Sequence, residues 1–70
     1  MSNWKSAKAK RVLTSLESIG WRVKRQKGSH KTLERFGFPD YVFSFHDGDE
    51  IGSKMMARIA KKTGLTPDDL

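Results

Sequence analysis

Seventy residues without a cysteine make one domain over residues 1–70, near the lower end of what a single hydrophobic core stabilises, and exclude disulfide staples, thiolate zinc sites and a cysteine nucleophile. No apolar run approaches the roughly 20 residues of a bilayer span, and Met1-Ser2-Asn3-Trp4-Lys5 lacks a signal peptide's apolar segment, so a soluble cytoplasmic protein is expected. The net charge of +6 is uneven: residues 1–35 hold ten Lys and Arg against Glu17 and Glu34, and residues 36–70 hold four against six acids, which suits either a polyanion-binding face or a solubilising surface.

Ala9, Val12, Leu13, Leu16 and Ile19 fall at the spacing of one helix face, which predicts a first helix over residues 6–19, capped by Asn3 or Ser6 and ended by Gly20. Its other face carries Lys8, Lys10 and Arg11. The pattern then changes to alternation, with Trp21, Val23 and Arg25 on one side and Arg22, Lys24 and Gln26 on the other, as in a strand with an apolar start and a basic end. Gln26-Lys27-Gly28-Ser29-His30 follows. Gly28 can take a positive φ without steric cost, and Gly-Ser is a favoured two-residue link between antiparallel strands. A second strand is expected over residues 31–36. Two registers are open: a two-residue loop pairs Trp21 with Phe36 and turns Leu33 to the opposite face, whereas a three-residue loop with a bulge reverses that parity.

Gly37-Phe38-Pro39-Asp40 reads as a second turn, because Pro39 keeps Phe38 out of the helical region. Tyr41-Val42-Phe43-Ser44-Phe45 is the third strand, with Tyr41, Phe43 and Phe45 on one face. Such a row can stack bases, but a chain this short needs the rings for its core. After the polar loop His46-Asp47-Gly48-Asp49-Glu50, Met55, Met56, Ile59 and Ala60 mark a second helix from Gly52 or Ser53 to Thr63. Asp47, Asp49 and Glu50 lack the spacing of a calcium loop and read as helix-start acids, matched by Lys61 and Lys62 at the other end. Thr66-Pro67-Asp68-Asp69 looks like the cap and first turn of a short terminal helix. The predicted class is α+β in the order α-β-β-β-α, a three-stranded antiparallel sheet with both helices on one face and the other face free for a partner.

The chain lacks a Walker-type loop, a dinucleotide glycine fingerprint and metal-ligand spacing, so no metal or cofactor is expected. Ser29 beside His30 is not a hydrolase dyad, since neighbouring strand residues point to opposite faces. Acid–base work by imidazole remains, and RNA is a substrate for which that suffices. Its 2′-hydroxyl is an internal nucleophile, so a base, phosphate-holding cations and an acid for the leaving 5′-oxygen complete the chemistry. His30 is the candidate catalytic residue; Arg25, Lys27, Gly28, Ser29 and Lys31 are the candidate RNA contacts. If residues 37–40 form a four-residue loop, Phe36 opposes Tyr41 and Lys31 opposes His46. Both histidines then lie at one end of the sheet but on opposite faces, and His46 is either a catalytic partner or a structural residue of its loop.

These segments resemble a known family. The helix followed by Gly20-Trp21, the run Arg25-Gln26-Lys27-Gly28-Ser29-His30, His46 followed by Glu50-Ile51-Gly52, and the stretch from Ile59 to Leu65 are similar to the HicA-type toxins of bacterial toxin–antitoxin pairs, over nearly the whole chain. The resemblance implies a fold like a double-stranded-RNA-binding domain, a metal-independent mRNA endonuclease activity, catalysis by His30 and a HicB-type antitoxin that covers the active site. Ser44 stands where the family usually has a proline, and Trp21 where it often has a phenylalanine. The alternative is a non-catalytic double-stranded-RNA-binding module of the same fold. A helix-turn-helix DNA-binding regulator is disfavoured, because the sheet separates the two long helices.

Overall fold

A computed structural model describes residues 4–70, so a helix cap at Asn3 lies outside the described residues. The first periodic segment folds as α1 (Ala9–Ser18), which buries Ala9, Val12 and Leu16 on one side and leaves Lys10 and Arg11 in solvent. Ser6 does not cap it. A two-residue strand, β1 (Ala7–Lys8), precedes the helix, and distant backbone takes its free first-turn donors: the Ala9 N–H donates to the Asp49 carbonyl at 2.8 Å and the Lys10 N–H to the Asp47 carbonyl at 3.2 Å. The same distant segment supplies β5 (Glu50–Ile51), antiparallel to β1 with Ala7 opposite Ile51.

The main sheet is antiparallel in the order β2 (Arg22–Lys27), β3 (His30–Glu34), β4 (Tyr41–Phe43). Its register combines the two open alternatives. Gly28 takes φ +61 in a two-residue loop that leaves Lys27 opposite His30. Further down, Lys24 is the extra residue of a bulge between the Val23–Leu33 and Arg25–Thr32 pairs. That bulge restores the parity by which Trp21 and Leu33 both enter the core.

The connection from β3 to β4 is longer than a four-residue loop. Leu33 opposes Tyr41, Thr32 opposes Val42 and Lys31 opposes Phe43, so residues 34–40 make the turn. Phe36, expected opposite Tyr41, is wholly exposed outside the sheet. The ring that packs instead is Phe38, edge-on to Trp21 at 5.4 Å, with the Arg35 guanidinium 4.7 Å from its centre. Phe38 also lies against Gly64, which ends the second helix at φ +78. A Cβ on Gly64 would sit 3.5 Å from that ring in a conformation L-residues rarely adopt.

The second helix, α2 (Ser53–Thr63), buries Met56, Ile59 and Thr63 and carries Lys61 and Lys62 in its last turn. Its first turn holds no acid. The loop carboxylates act elsewhere: Asp49 accepts the His46 N–H at 2.9 Å and Glu50 lies 3.4 Å from the Lys8 ammonium. Both helices and the inner sheet face share one core of Val12, Leu16, Trp21, Leu33, Phe43, Ile51, Met56 and Ile59. Phe43 lies in that core and Tyr41 and Phe45 are partly buried against it, so the aromatic row builds the core while Phe45, at its end, keeps part of its ring exposed. The Trp21 indole N–H donates to the Thr63 carbonyl at 3.0 Å, tying the start of β2 to the end of α2. Burial raises the Tyr41 phenol above its ordinary pKa. A 3₁₀ turn, Pro67–Asp69, follows with Thr66 and Asp69 in a reciprocal cap. No helix among the described residues is long and apolar enough to cross a membrane.

Candidate active site

Opposed residues of an antiparallel pair share a face, and faces alternate along each strand. Leu33 is buried, so its neighbours two residues along point toward the core and those one residue along point away. The Lys27–His30 and Arg25–Thr32 pairs therefore lie on the outer face, and the Gln26–Lys31 pair lies on the core side. His30 opens β3 there, exposed, and its ring carries no hydrogen bond or ion pair among the described residues. Lys27 stands directly across from it, at a separation that places Cβ atoms about 5 Å apart in such pairs. Arg25 belongs to the next outward pair.

The electrostatics of this hairpin are divided. Arg22 pairs with Glu34 at 2.7 Å and Lys24 with Asp40 at 3.0 Å, both at the base end. Arg25 and Lys27 have no carboxylate partner among the described residues. An anion approaching the outer face thus meets uncompensated cations only at the tip, where His30 is. An imidazole facing two free cations on the adjacent strand can hold one phosphate and move one proton at it.

Two of the expected RNA contacts, Arg25 and Lys27, sit on the His30 face. Gly28 and Ser29 form the turn beside His30, and both line the groove beneath it. Lys31 does not join them: it points to the core side, opposite Phe43 on its other flank. His46 is not opposite Lys31, because the chain leaves the sheet after Phe43, and it reaches the core side of the tip through its loop. The two histidines occupy opposite faces, but the loop after Phe43, not strand alternation, puts His46 on the core side. Thr32 is a further outward residue, two positions from His30 and across from Arg25. Counting by twos from His30 would have found it. Among the described residues, no group of three or more His, Asp and Glu is placed to hold a metal ion.

A family model described as the HicA toxin of bacterial toxin–antitoxin systems matches residues 9–65 of the chain. The matched stretch includes both helices, the hairpin and both histidines. No match is found among the curated proteins.

Proposed function

The chain belongs to the HicA toxin family of bacterial toxin–antitoxin systems, and from that premise we propose that it is an endoribonuclease that cuts mRNA in the cytoplasm without a metal, with His30 as general acid–base. The observation that carries this reading is the exposed His30 ring beside Arg25 and Lys27, two cations with no carboxylate partner among the described residues.

With the scissile phosphate against Arg25 and Lys27, His30 takes the proton of the adjacent 2′-hydroxyl. The 2′-oxygen bonds to phosphorus as the P–O5′ bond breaks, and a proton from water or the Lys27 ammonium goes to the 5′-oxygen. The products are a 2′,3′-cyclic phosphate and a 5′-hydroxyl. The two cations offset the charge that grows on the non-bridging oxygens. Membership of the family implies an antitoxin partner; we assign it the HicB type and the outer face of the hairpin tip, where an acidic surface would complement Arg25 and Lys27 and cover His30.

The test is 5′-labelled RNA incubated in chelator beside an oligonucleotide with deoxyribose at the cleaved position. Scission of the RNA alone, lost in His30→Ala, is the expected result. Tight retention without scission would overturn it in favour of a non-catalytic double-stranded-RNA-binding module.

A further inference from the structure

Behind His30, on the core side of the hairpin tip, lies a groove of about 350 Å³. Gln26 and Lys31, a cross-strand pair, line one part of it, and Phe45, His46 and Asp47 line another. The Phe45 ring is half-buried and held edge-on to the buried Phe43 at 5.1 Å.

Backbone hydrogen bonds of the fold hold the groove in shape. The His46 N–H donates to the Asp49 carboxylate and the Asp49 N–H donates to the His46 carbonyl, both at 2.9 Å. The carbonyls of Asp47 and Asp49 accept the first N–H groups of α1. The backbone of this loop is therefore pinned, while the side chains of His46 and Asp47 stay uncommitted. The His46 ring, the Lys31 ammonium and the Asp47 carboxylate make no hydrogen bond or ion pair among the described residues. Gln26 donates from its amide nitrogen to the Gly28 carbonyl at 3.1 Å, which leaves its amide oxygen free to accept.

We infer that this groove takes an unpaired nucleobase of the RNA beside the nucleotide cut at His30, and that His46 contacts substrate there rather than transferring a proton. The inference rests on the proposed cleavage at His30. A second phosphate is the poorer occupant, because Asp47 repels it. A base offers a π-face to Phe45 and a mixture of donors and acceptors to Gln26, Lys31, His46 and Asp47. The tip is closed by only Gly28 and Ser29, so one strand can bend over it with its phosphate on the outer face and the neighbouring base in the groove. A base stacked in a duplex cannot do this, which confines the substrate to single-stranded or looped RNA.

The test uses short 2′-fluoro RNA, which lacks the attacking hydroxyl, with one abasic position walked along the strand. The expected result is a single position at which base loss weakens binding about tenfold. Gln26→Ala and Asp47→Ala, both at exposed positions, erase that position dependence, and His30→Ala keeps it. On cleavable RNA of mixed sequence, the same two variants raise KM and redistribute the cut sites while kcat is retained. A flat abasic scan, or identical cut-site distributions in the wild type and both variants, overturns the subsite and leaves cleavage at His30 standing. A position-dependent scan on RNA that the wild type leaves uncut overturns the cleavage reading and keeps the groove as a base site.

Discussion

At the base of the β2–β3 hairpin the cations are engaged: Arg22 with Glu34, Lys24 with Asp40, and Arg35 over the Phe38 ring. At the tip, Arg25, Lys27 and His30 face solvent without a carboxylate partner among the described residues. Exposed ion pairs of the first kind contribute only about 0–1 kcal/mol each, so their consequence is mainly in the field. They cancel positive charge where the hairpin is anchored and leave it where the histidine is. One strand thus carries a structural half and a half left open to an anion.

The sharpest way to break this comparison is His30→Ala. The cleavage rate is expected to fall by about 10² to 10⁴, while the urea midpoint shifts by no more than an exposed substitution usually allows, about 0.5 kcal/mol. Single-turnover cleavage and denaturant melts on one preparation separate the two. A variant that cuts as fast as the wild type would end the assignment.

Trp21→Ala attacks the other half. Losing the buried ring is expected to cost about 3–5 kcal/mol, comparable to the whole stability of a small domain. Trp21→Phe keeps most of the ring but leaves the buried Thr63 carbonyl without its donor, at a cost of about 1–3 kcal/mol. Urea unfolding reads both, and equal midpoints for wild type and Trp21→Phe would show that the indole N–H adds nothing.

A smaller effect sharpens the division of charge. Arg25→Gln or Lys27→Gln should each lower the slope of log affinity for single-stranded RNA against log salt by about 0.7, whereas Arg22→Gln should leave that slope nearly unchanged. Conversely, Glu34→Gln and Asp40→Asn release Arg22 and Lys24, so RNA association should quicken at low salt with stability altered by less than about 1 kcal/mol. Equal slopes for base and tip variants would erase the distinction.

The smallest effect concerns Tyr41, beneath the sheet. Burial raises its phenol pKa above the ordinary 10.0. Below that value both folded and unfolded chains keep the proton and the group contributes no pH dependence. Above it the unfolded chain ionises first, so stability is lost as pH rises through the folded value. Tyr41→Phe should flatten this alkaline loss, read as urea midpoints on either side of pH 10.

Much of the fold was legible locally. Val12 and Leu16 in α1, and Met56 and Ile59 in α2, carry their own period, and that period alone selects the buried side of each helix. Gly28 marked the hairpin and Thr66 with Asp69 marked the terminal cap, because each bonds or bends within a few residues. The candidate site was half legible. His30 stood out as an imidazole in a basic run, and alternation alone turns its neighbour Lys31 to the other face. Whether Lys27 shares the His30 face depends on the register across the turn, and a one-residue change would put Gln26 there instead.

Sequence alone therefore determined the helices, the position of the hairpin tip, the structural role of the aromatic row and the basic bias of the first half, since these follow from neighbours in the chain. Tertiary structure decided the bulge at Lys24, the pairing of Leu33 with Tyr41, the exposure of Phe36 and the carbonyl caps from Asp47 and Asp49. Each of these is settled by which distant surfaces meet. Packing Trp21, Leu33 and Phe43 into one core selects the strand parity, and that parity turns the face shared by Arg25, Lys27 and His30 outward and the Lys31 face toward the core.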